Sequence, residues 1–339
     1  MWFLLACATP SAVDADGDGV AAPRDCDDQA AAVYPGATEI PGNDRDEDCS
    51  GADPLHSGRL QGSSLDEGFG SSLLFADQTL FVGAPYAEGG AGAVYANGQR
   101  IRTGLPGEHL GTALAWEGAL VIGASGLGNV YLGERLLLTG QGMGGALLSG
   151  PLVSNHALGL WSPEGWTRYG QRPYGLARDA NGALYAGFAR GPVGIQSGEK
   201  TVAQTTGEEL GYALLWGDAD GDGREELIAG APGVNQVRLY DDQLQEKARI
   251  VGPGGRFGAA LALAAPGRLY VGAPNAGTEV QGAVWRLDGG SSPQLLWEGE
   301  EAEDMLGFAL VAGSSYVVAG APAAATATGY VRVLTGISE

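Results

Sequence analysis

The sequence has few of the residues that catalytic sites and nucleic-acid-binding surfaces need. It contains only 3 His and 3 Cys in 339 residues, and its 40 Asp and Glu outnumber its 19 Lys and Arg. A net charge of −21 argues against binding nucleic acid or an anionic membrane through a basic surface. The histidines His56, His109 and His156 are scattered, and no nucleophile elbow, HExxH or phosphate-loop motif appears. We therefore expect a protein that is not an enzyme.

The sequence also lacks long apolar segments and helical patterns. No apolar run approaches the roughly 18 residues of a membrane span, and no stretch keeps a long 3.6-residue apolar period. Short runs of four to six β-branched, aromatic and aliphatic residues stand between Gly, Asn, Asp and Pro, as in Thr79-Leu-Phe-Val-Gly83. Such runs are typical of many short strands. The sequence predicts an all-β protein with no transmembrane span.

One phrase repeats along most of the chain. Phe69-Gly70 leads to Gly83-Ala-Pro85, and Phe257-Gly258 leads to Gly272-Ala-Pro274 in the same way. The first glycines of the copies are Gly70, Gly111, Gly144, Gly175, Gly211, Gly258 and Gly307. Their mean interval of about 40 residues is the size of a four-stranded propeller blade. The repeat predicts a seven-bladed β-propeller of four-stranded antiparallel blades, although the third copy lacks Gly-Ala-Pro.

The ends of the repeat array predict how the ring closes. The last copy ends after Tyr330–Leu334 and has no fourth strand of its own. Arg59–Gly62, before the first copy, resembles the strands that precede the other copies. We expect residues 59–62 to complete the last blade, so that no sheet edge stays open.

The repeated phrase resembles FG-GAP repeats, the blades of the integrin α-subunit head and of many bacterial surface proteins. The resemblance covers about four-fifths of the chain and gives the expected domain 55–339. It implies a non-catalytic, calcium-binding module for binding or adhesion, with the ligand held by the loops that enter each inner strand. The expected partner is a surface protein or a polysaccharide.

The fifth copy has an insertion that is typical of a metal loop. Its two glycines, Gly211 and Gly230, lie 19 residues apart, against roughly 10 to 14 in the other copies. The extra residues offer alternate carboxylates, a glycine turn and a carbonyl, which suit Ca²⁺. The candidate ligands are Asp218, Asp220, Asp222, Arg224 through its carbonyl, and Glu226, which stands where FG-GAP loops usually have Asp.

A second acidic loop precedes the propeller. Asp14-Ala-Asp16-Gly-Asp18-Gly19 followed by Asp25 has the oxygen spacing of an EF-hand loop. Asp replaces the usual last Glu and no helices flank the loop, so it is not a true EF-hand. The candidate ligands are Asp14, Asp16, Asp18, Val20 and Asp25.

The whole segment 8–54 resembles the Asp-rich metal-binding repeat of secreted bacterial proteins of the MopE type. Cys26 and Cys49 fall at the two cysteine positions of that repeat, so the resemblance implies a disulfide between them. Some members of that family have been associated with copper. Because this segment offers carboxylates, we expect Ca²⁺ instead.

The remaining cysteine suggests a cellular location. Leu4-Leu-Ala-Cys7 reads as a lipobox, which makes residues 1–7 a truncated lipoprotein-type signal with lipidation at Cys7. An ordinary thiol at Cys7 is the alternative, because the segment is short and has no basic residues. We expect a monomeric bacterial protein, either an outer-membrane lipoprotein or secreted. Two alternatives to the binding module remain: a carbohydrate-active enzyme or lectin, and a structural envelope protein.

Overall fold

Short antiparallel strands make up most of the structure. The computed structural model describes residues 14–37, 45–49, 58–140, 143–148, 152–155, 159–162, 165–168, 172–322 and 329–335. In the first half the strands are β1 (Gly58–Gln61), β2 (Ser72–Ala76), β3 (Thr79–Ala84), β4 (Ala93–Ala96), β5 (Gln99–Thr103), β6 (Leu110–Trp116), β7 (Leu120–Ala124), β8 (Asn129–Leu132), β9 (Arg135–Thr139), β10 (Met143–Leu148), β11 (Leu152–Asn155), β12 (Gly159–Ser162) and β13 (Gly165–Arg168).

The second half continues the pattern. Its strands are β14 (Gly175–Arg178), β15 (Leu184–Gly187), β16 (Val193–Ser197), β17 (Lys200–Ala203), β18 (Leu214–Gly217), β19 (Glu226–Ala231), β20 (Gln236–Tyr240), β21 (Glu246–Val251), β22 (Ala260–Ala265), β23 (Arg268–Ala273), β24 (Ala283–Asp288), β25 (Gln294–Glu298), β26 (Ala309–Gly313), β27 (Tyr316–Ala321) and β28 (Tyr330–Thr335). The described helical turns are Ala87–Gly90 and the 3₁₀ turn Pro232–Val234. Within the described residues, no helix has the length and apolar character needed to cross a membrane.

Consecutive strands pair into four-stranded antiparallel sheets, starting with β2 to β5 and β6 to β9. The sheet that contains the last strands takes one strand from the other end of the array, in the order β1-β28-β27-β26. Gly58 pairs with Val333 and Gln61 pairs with Tyr330. The predicted closure by an N-terminal strand is confirmed, with β1 one residue earlier than expected.

The apolar core lies between neighbouring sheets. Phe81 and Val94 of one sheet pack with Leu110 and Ile122 of the next. At the closing junction, Val318 and Val331 of the last sheet pack with Leu80 and Val82 of the first, beside Phe69. The sheets are therefore arranged as the blades of a β-propeller.

The repeated glycines have a common packing role. A Cβ atom on Gly83 would lie 2.0 Å from the carbonyl oxygen of Gly111, and one on Gly320 would lie 2.0 Å from that of Gly70. No side chain fits at such a distance, so the phrase keeps glycine where neighbouring backbones touch. The same contact joins Gly123 to Gly144, Gly187 to Gly211, Gly230 to Gly258 and Gly272 to Gly307.

The third copy corrects the predicted blade count. Its strands β10–β13 form a four-stranded sheet, but β11 is Leu-Val-Ser-Asn and has no glycine for the contact with the next sheet. The structure does not describe the side chains of residues 148–171. The prediction of a seven-bladed propeller is wrong: the structure has six blades of the predicted kind, and in each of them a glycine of the second strand meets the backbone of the following copy. The β10–β13 sheet meets the preceding copy through Gly144, but it lacks the glycine junction to the following sheet because β11 has no Gly-Ala-Pro phrase.

Candidate functional site

The first acidic loop, here called the N-terminal loop (Asp14–Asp25), is organised around one carboxylate. Asp14 accepts hydrogen bonds from the backbone N–H groups of Gly17 (2.7 Å) and Gly19 (2.9 Å). Both glycines have positive φ, +82° and +95°, which lets the backbone fold tightly around Asp14. Asp16 and Asp18 accept further backbone hydrogen bonds through their Oδ1 atoms.

Three oxygens of this loop have no hydrogen-bond donor. Oδ2 of Asp16, Oδ2 of Asp18 and Oδ2 of Asp25 are buried without a partner, and Asp25 is only 6% exposed. These three side chains bring ligand oxygens within 4.8 Å of one another. Buried anionic oxygens that lack donors are costly unless a cation satisfies them. The residues present therefore fit a metal ion with oxygen ligands.

Asp28 was not among the predicted ligands. Asp14, Asp16 and Asp28 also bring oxygens within 4.8 Å of one another, and Oδ1 of Asp28 accepts a hydrogen bond from the N–H of Ala15 (3.2 Å). Val20, a predicted ligand, donates its N–H to Oδ1 of Asp18. Asp28 lies outside the EF-hand spacing, so only the fold reveals it.

A disulfide holds the segment that carries these ligands. Cys26 and Cys49 are bonded, with 5.9 Å between their Cα atoms, which confirms the predicted pair. The N–H of Tyr34 donates to the carbonyl of Glu47 (2.9 Å), and Arg45 pairs with Asp27 at 3.1 Å. Asp25 is thereby fixed next to a covalent link. Cys7, the predicted lipidation site, lies outside the described residues.

The second acidic loop, here called the blade-five loop (Asp218–Glu226), connects β18 to β19. Asp218 accepts hydrogen bonds from the N–H groups of Gly221 (2.7 Å) and Gly223 (3.0 Å). Asp218, Asp220 and Glu226 bring ligand oxygens within 4.8 Å of one another. Asp222 and Arg224 are exposed, and the N–H of Arg224 donates to Asp222 (2.8 Å). That hydrogen bond, assisted by the charge of Lys247, holds the pKa of Asp222 below its ordinary value.

A lysine that the sequence did not identify lies among these carboxylates. Nζ of Lys247 lies 3.8 Å from Asp220, 3.5 Å from Asp222, and within hydrogen-bond distance of Glu226. The hydrogen bond with Glu226 raises the pKa of Lys247, so its positive charge is stabilised there. No local motif marks Lys247, because it belongs to β21, far along the chain from the loop.

Acidic side chains of the predicted ligand-binding loops form hydrogen bonds and ion pairs with other side chains of the propeller. Tyr95 donates to Glu67 at 2.9 Å and Tyr330 donates to Asp304 at 2.8 Å. Glu209 pairs with Arg256 at 2.7 Å. These carboxylates order the loops that enter the inner strands, and the loops present other side chains outward.

Apolar side chains are exposed on the loops that enter β2 and β6, which carry Leu65 and Leu105, and on the β3–β4 and β7–β8 connections, which carry Tyr86 and Leu127. Leu65, Tyr86, Leu105 and Leu127 are 69%, 56%, 58% and 49% exposed. Their loops touch: the N–H of Tyr86 donates to Glu67, and the ring of His109 packs on Tyr86 with centroids 5.6 Å apart. The N–H of Gly126 donates in turn to Glu108. We call Leu65, Tyr86, Leu105 and Leu127 the apolar loop row. His56 and His156 lie outside the described residues.

The fold and these sites define a β-propeller preceded by an Asp-rich segment whose carboxylates fit a metal ion. Residues 210–243 match the model of the FG-GAP repeat, and residues 25–53 match the model of the MopE-type metal-binding motif. The chain thus carries both motifs. The FG-GAP match includes the blade-five loop, and the MopE-type match includes Asp25 and both disulfide cysteines.

Comparison with solved structures supports the fold alone. The crystal structure of selenomethionine-substituted virginiamycin B lyase from Staphylococcus aureus matches with a TM-score of 0.58 and 10% sequence identity. The match covers 82% of this chain and 98% of that chain. No curated protein matches the sequence.

Proposed function

We propose that this chain is a calcium-binding module of the cell surface or extracellular space that binds a protein or glycan ligand and is not catalytic. The observation that carries the binding role is the apolar loop row. Exposed apolar side chains concentrated on one group of touching loops mark interaction surfaces more often than isolated ones do. Loops on a rigid scaffold are also where recognition residues usually lie.

The metal belongs to the N-terminal loop in this proposal. Three buried carboxylate oxygens without donors form an all-oxygen ligand set, which suits Ca²⁺ better than Cu²⁺. When bound, the ion supplies the positive charge that these oxygens lack. Asp14 orders the loop through Gly17 and Gly19, and Asp16, Asp18 and Asp25 hold the ion. An ion held there stiffens a segment that has little apolar core.

The disulfide and the MopE-type match support an extracellular location. Disulfides persist in oxidising compartments and are rare in the cytosol. Anchoring through a lipid on Cys7 is part of this proposal, with secretion as the alternative. Mass spectrometry of the protein from the membrane fraction of its host would detect or exclude the lipid.

Calorimetric titration with Ca²⁺, Mg²⁺ and Cu²⁺ tests the metal. We expect Ca²⁺ to bind the parent protein, and Asp25→Asn to lose that binding. The matched control is Asp77→Asn, which removes one exposed carboxylate from the β2–β3 turn. Tighter binding of Cu²⁺ than of Ca²⁺, or unchanged calcium binding in Asp25→Asn, contradicts the assignment.

Binding to arrays of glycans and to whole cells tests the ligand. We expect Tyr86→Ala and Leu105→Ala to lose binding, while Leu136→Ala keeps it. Leu136 is the matched control because it is 49% exposed, as Leu127 is, but lies on the outer strand β9, away from the apolar loop row. Equal loss in all three variants, or no binding by the parent to any surface, contradicts the proposed binding role.

A further inference from the structure

Two loops of this chain share one sequence and one backbone geometry. Asp14–Gly19 and Asp218–Gly223 both read Asp-Ala-Asp-Gly-Asp-Gly. In each, the first Asp accepts hydrogen bonds from both glycines, at 2.7 and 2.9 Å in one and at 2.7 and 3.0 Å in the other. Each loop is therefore a control for the other. A difference in how their carboxylates are satisfied must come from the residues around the loops.

The difference is the state of the remaining carboxylate oxygens. In the N-terminal loop, three buried oxygens have no partner. Among the described atoms of the blade-five loop, no buried carboxylate oxygen is left without one. The ammonium group of Lys247 hydrogen-bonds to the buried Glu226 and lies 3.8 Å from Asp220 and 3.5 Å from the exposed Asp222.

We propose that Lys247 is a tethered counter-cation of the blade-five loop, which therefore stays ordered without a metal and takes a divalent ion only by displacing the lysine. The N-terminal loop, which has no such cation, is then the site that depends on metal. The comparison between the two loops rests on the proposed function, in which the N-terminal loop binds a metal ion.

The backbone places Lys247 for this role. In the pairing of β20 with β21, Leu239 faces Ala248 and Tyr240 faces Glu246, so Lys247 is the extra residue of a β-bulge. Tyr240 also faces Leu227, which directly follows Glu226, so the bulge lies at the edge of the sheet where the loop emerges. A bulge of this kind redirects a side chain out of the regular strand pattern.

Bulges in the matching outer strands of other sheets carry different residues. Between Val94 and Tyr95 the extra residue opposite is Ile101, and between Val130 and Tyr131 it is Leu137. In β25 it is Leu296. Among these four sheets, the one with an acidic loop is thus the one that has lysine at its bulge, which is what charge compensation requires.

Burial makes the lysine necessary when no metal is bound. Glu226 is fully buried, and its two oxygens accept hydrogen bonds from Lys247 and from the N–H of Ala219 (3.2 Å). A buried carboxylate that loses its counter-charge is strongly destabilised. A divalent ion among the same oxygens would lie close to the ammonium group, and the two positive charges repel each other. The ion and Lys247 therefore compete for one place.

Counting calcium ions tests the inference directly. We expect calorimetry to give one tight site in the parent, and a second site in Lys247→Met that binds at least about tenfold more tightly than the same loop does in the parent. Lys200→Met is the matched control, since it removes the same charge from an exposed strand position and should leave one site. Lys247→Arg keeps the cation and should also leave one site.

Terbium luminescence assigns the second site to its loop. Trp216 donates its indole N–H to Glu225 (2.7 Å), so excitation of this tryptophan should sensitise Tb³⁺ bound in the blade-five loop. Lys247→Met should increase the signal, and the added Trp216→Phe change should remove it. An unchanged signal in Lys247→Met overturns the inference.

Stability without metal gives an independent measurement. In chelator, Lys247→Met should melt at a lower temperature than the parent, and added Ca²⁺ should restore most of the loss. If Lys247→Met does not fold, calcium titration of the parent protein still tests the inference. Two equally tight calcium sites in the parent, one of which is lost in Asp220→Asn, overturn it. Loss of all tight binding in Asp25→Asn is the separate test of the proposed N-terminal site, so the two failures are distinguishable.

Discussion

The guanidinium group of Arg59 stacks on the ring of Tyr330, with 3.8 Å between its Cζ atom and the ring centroid. Arg59 lies on β1 and Tyr330 on β28, so this contact joins the two ends of the propeller. Arg59 also pairs with Glu300 at 2.9 Å. The closing junction is thus fixed by side chains as well as by backbone pairing.

Removing β1 should therefore open the ring. We expect deletion of residues 1–54 to leave a propeller that melts close to the parent, and deletion of residues 1–61 to lower the melting temperature sharply. The longer deletion removes the partner of β28 and the Leu60 side chain that packs at this junction. Thermal melts followed by circular dichroism measure the effect. Equal melting of both deletions would show that closure by β1 contributes nothing.

Gly83→Ala should destabilise the protein. A Cβ atom there would lie 2.0 Å from the backbone oxygen of Gly111, and backbone cannot move aside cheaply. Overpacking of this kind costs about 1–3 kcal/mol in unfolding free energy. Gly118→Ala is the control: its Cβ meets nothing within 4 Å, and only its positive φ opposes the change. Urea denaturation that ranks the control as more damaging would refute the packing role of the repeated glycine.

Glu108→Gln should lower stability at neutral pH and matter less in acid. Burial acts to raise the pKa of Glu108, but hydrogen bonds from Asn129 (2.8 Å) and Tyr131 (2.5 Å), with the charge of Arg102, lower it overall. A carboxylate whose pKa is lowered in the fold stabilises the folded state at pH values above its ordinary pKa of about 4.3. That stabilisation is lost as the pH falls below this value and through the lowered pKa. The substitution should cost about 1–3 kcal/mol at pH 7.

Urea denaturation at pH 7 and pH 3 measures this difference. The exposed Glu134→Gln in the same blade should change stability little at either pH. A difference between parent and Glu108→Gln that persists undiminished at pH 3 would contradict the role of the ionised carboxylate.

Two tyrosines with raised pKa values, the buried Tyr185 and the partly buried Tyr316, should make the propeller sensitive to alkali. Burial raises the pKa of Tyr316 to about 12, and burial with nearby Asp179 raises the pKa of Tyr185 to about 12. A raised pKa means that the neutral form is favoured in the fold. Its contribution is fully present below the ordinary value near 10 and is lost as pH rises from there through about 12. Absorbance of tyrosinate should rise together with unfolding in that range. Tyrosinate that forms near pH 10 in a folded protein would contradict it.

The Cys26–Cys49 disulfide should support metal binding. Asp25 is next to Cys26, so loss of the link frees a ligand to move and raises the entropy cost of binding. We expect the Cys26→Ser, Cys49→Ser double variant to bind Ca²⁺ more weakly than the parent, and Cys7→Ser to bind it equally well. The measurement is the same calorimetric titration. Unchanged affinity in the double variant would separate the disulfide from the metal.

The repeat predicted most of the fold because its glycines are set by contacts that recur in six of the copies. Gly83 and Gly320 meet the next copy in the same way, so one sequence phrase indicates one junction. The same logic failed in the third copy, where β11 lacks the glycine and spacing alone suggested an equivalent blade. The interval between copies gives the length of a repeat. Whether neighbouring sheets pack as the other blades do depends on the glycine at their contact.

The acidic loops were predictable because their candidate ligands are close together in the sequence. The residues that bond to the loop carboxylates were not predictable, because they come from distant parts of the chain. Asp218 to Glu226 form one short segment. Lys247 reaches them through strand pairing and a bulge, which no local pattern encodes. The partners of the loop carboxylates were equally hidden from sequence: Tyr95 donates to Glu67 and Tyr330 donates to Asp304, each from another strand of the same blade.

Pairing of Gly58 with Val333 has a consequence for engineering the chain. Because the two ends of the propeller are neighbouring antiparallel strands, a short linker from the end of β28 to the start of β1 would turn the closing sheet into a covalent hairpin. New termini could then be cut in an exposed outer turn such as Asn97–Gly98. Such a circular permutant would keep every strand pair of the ring while freeing the Asp-rich segment to be attached elsewhere.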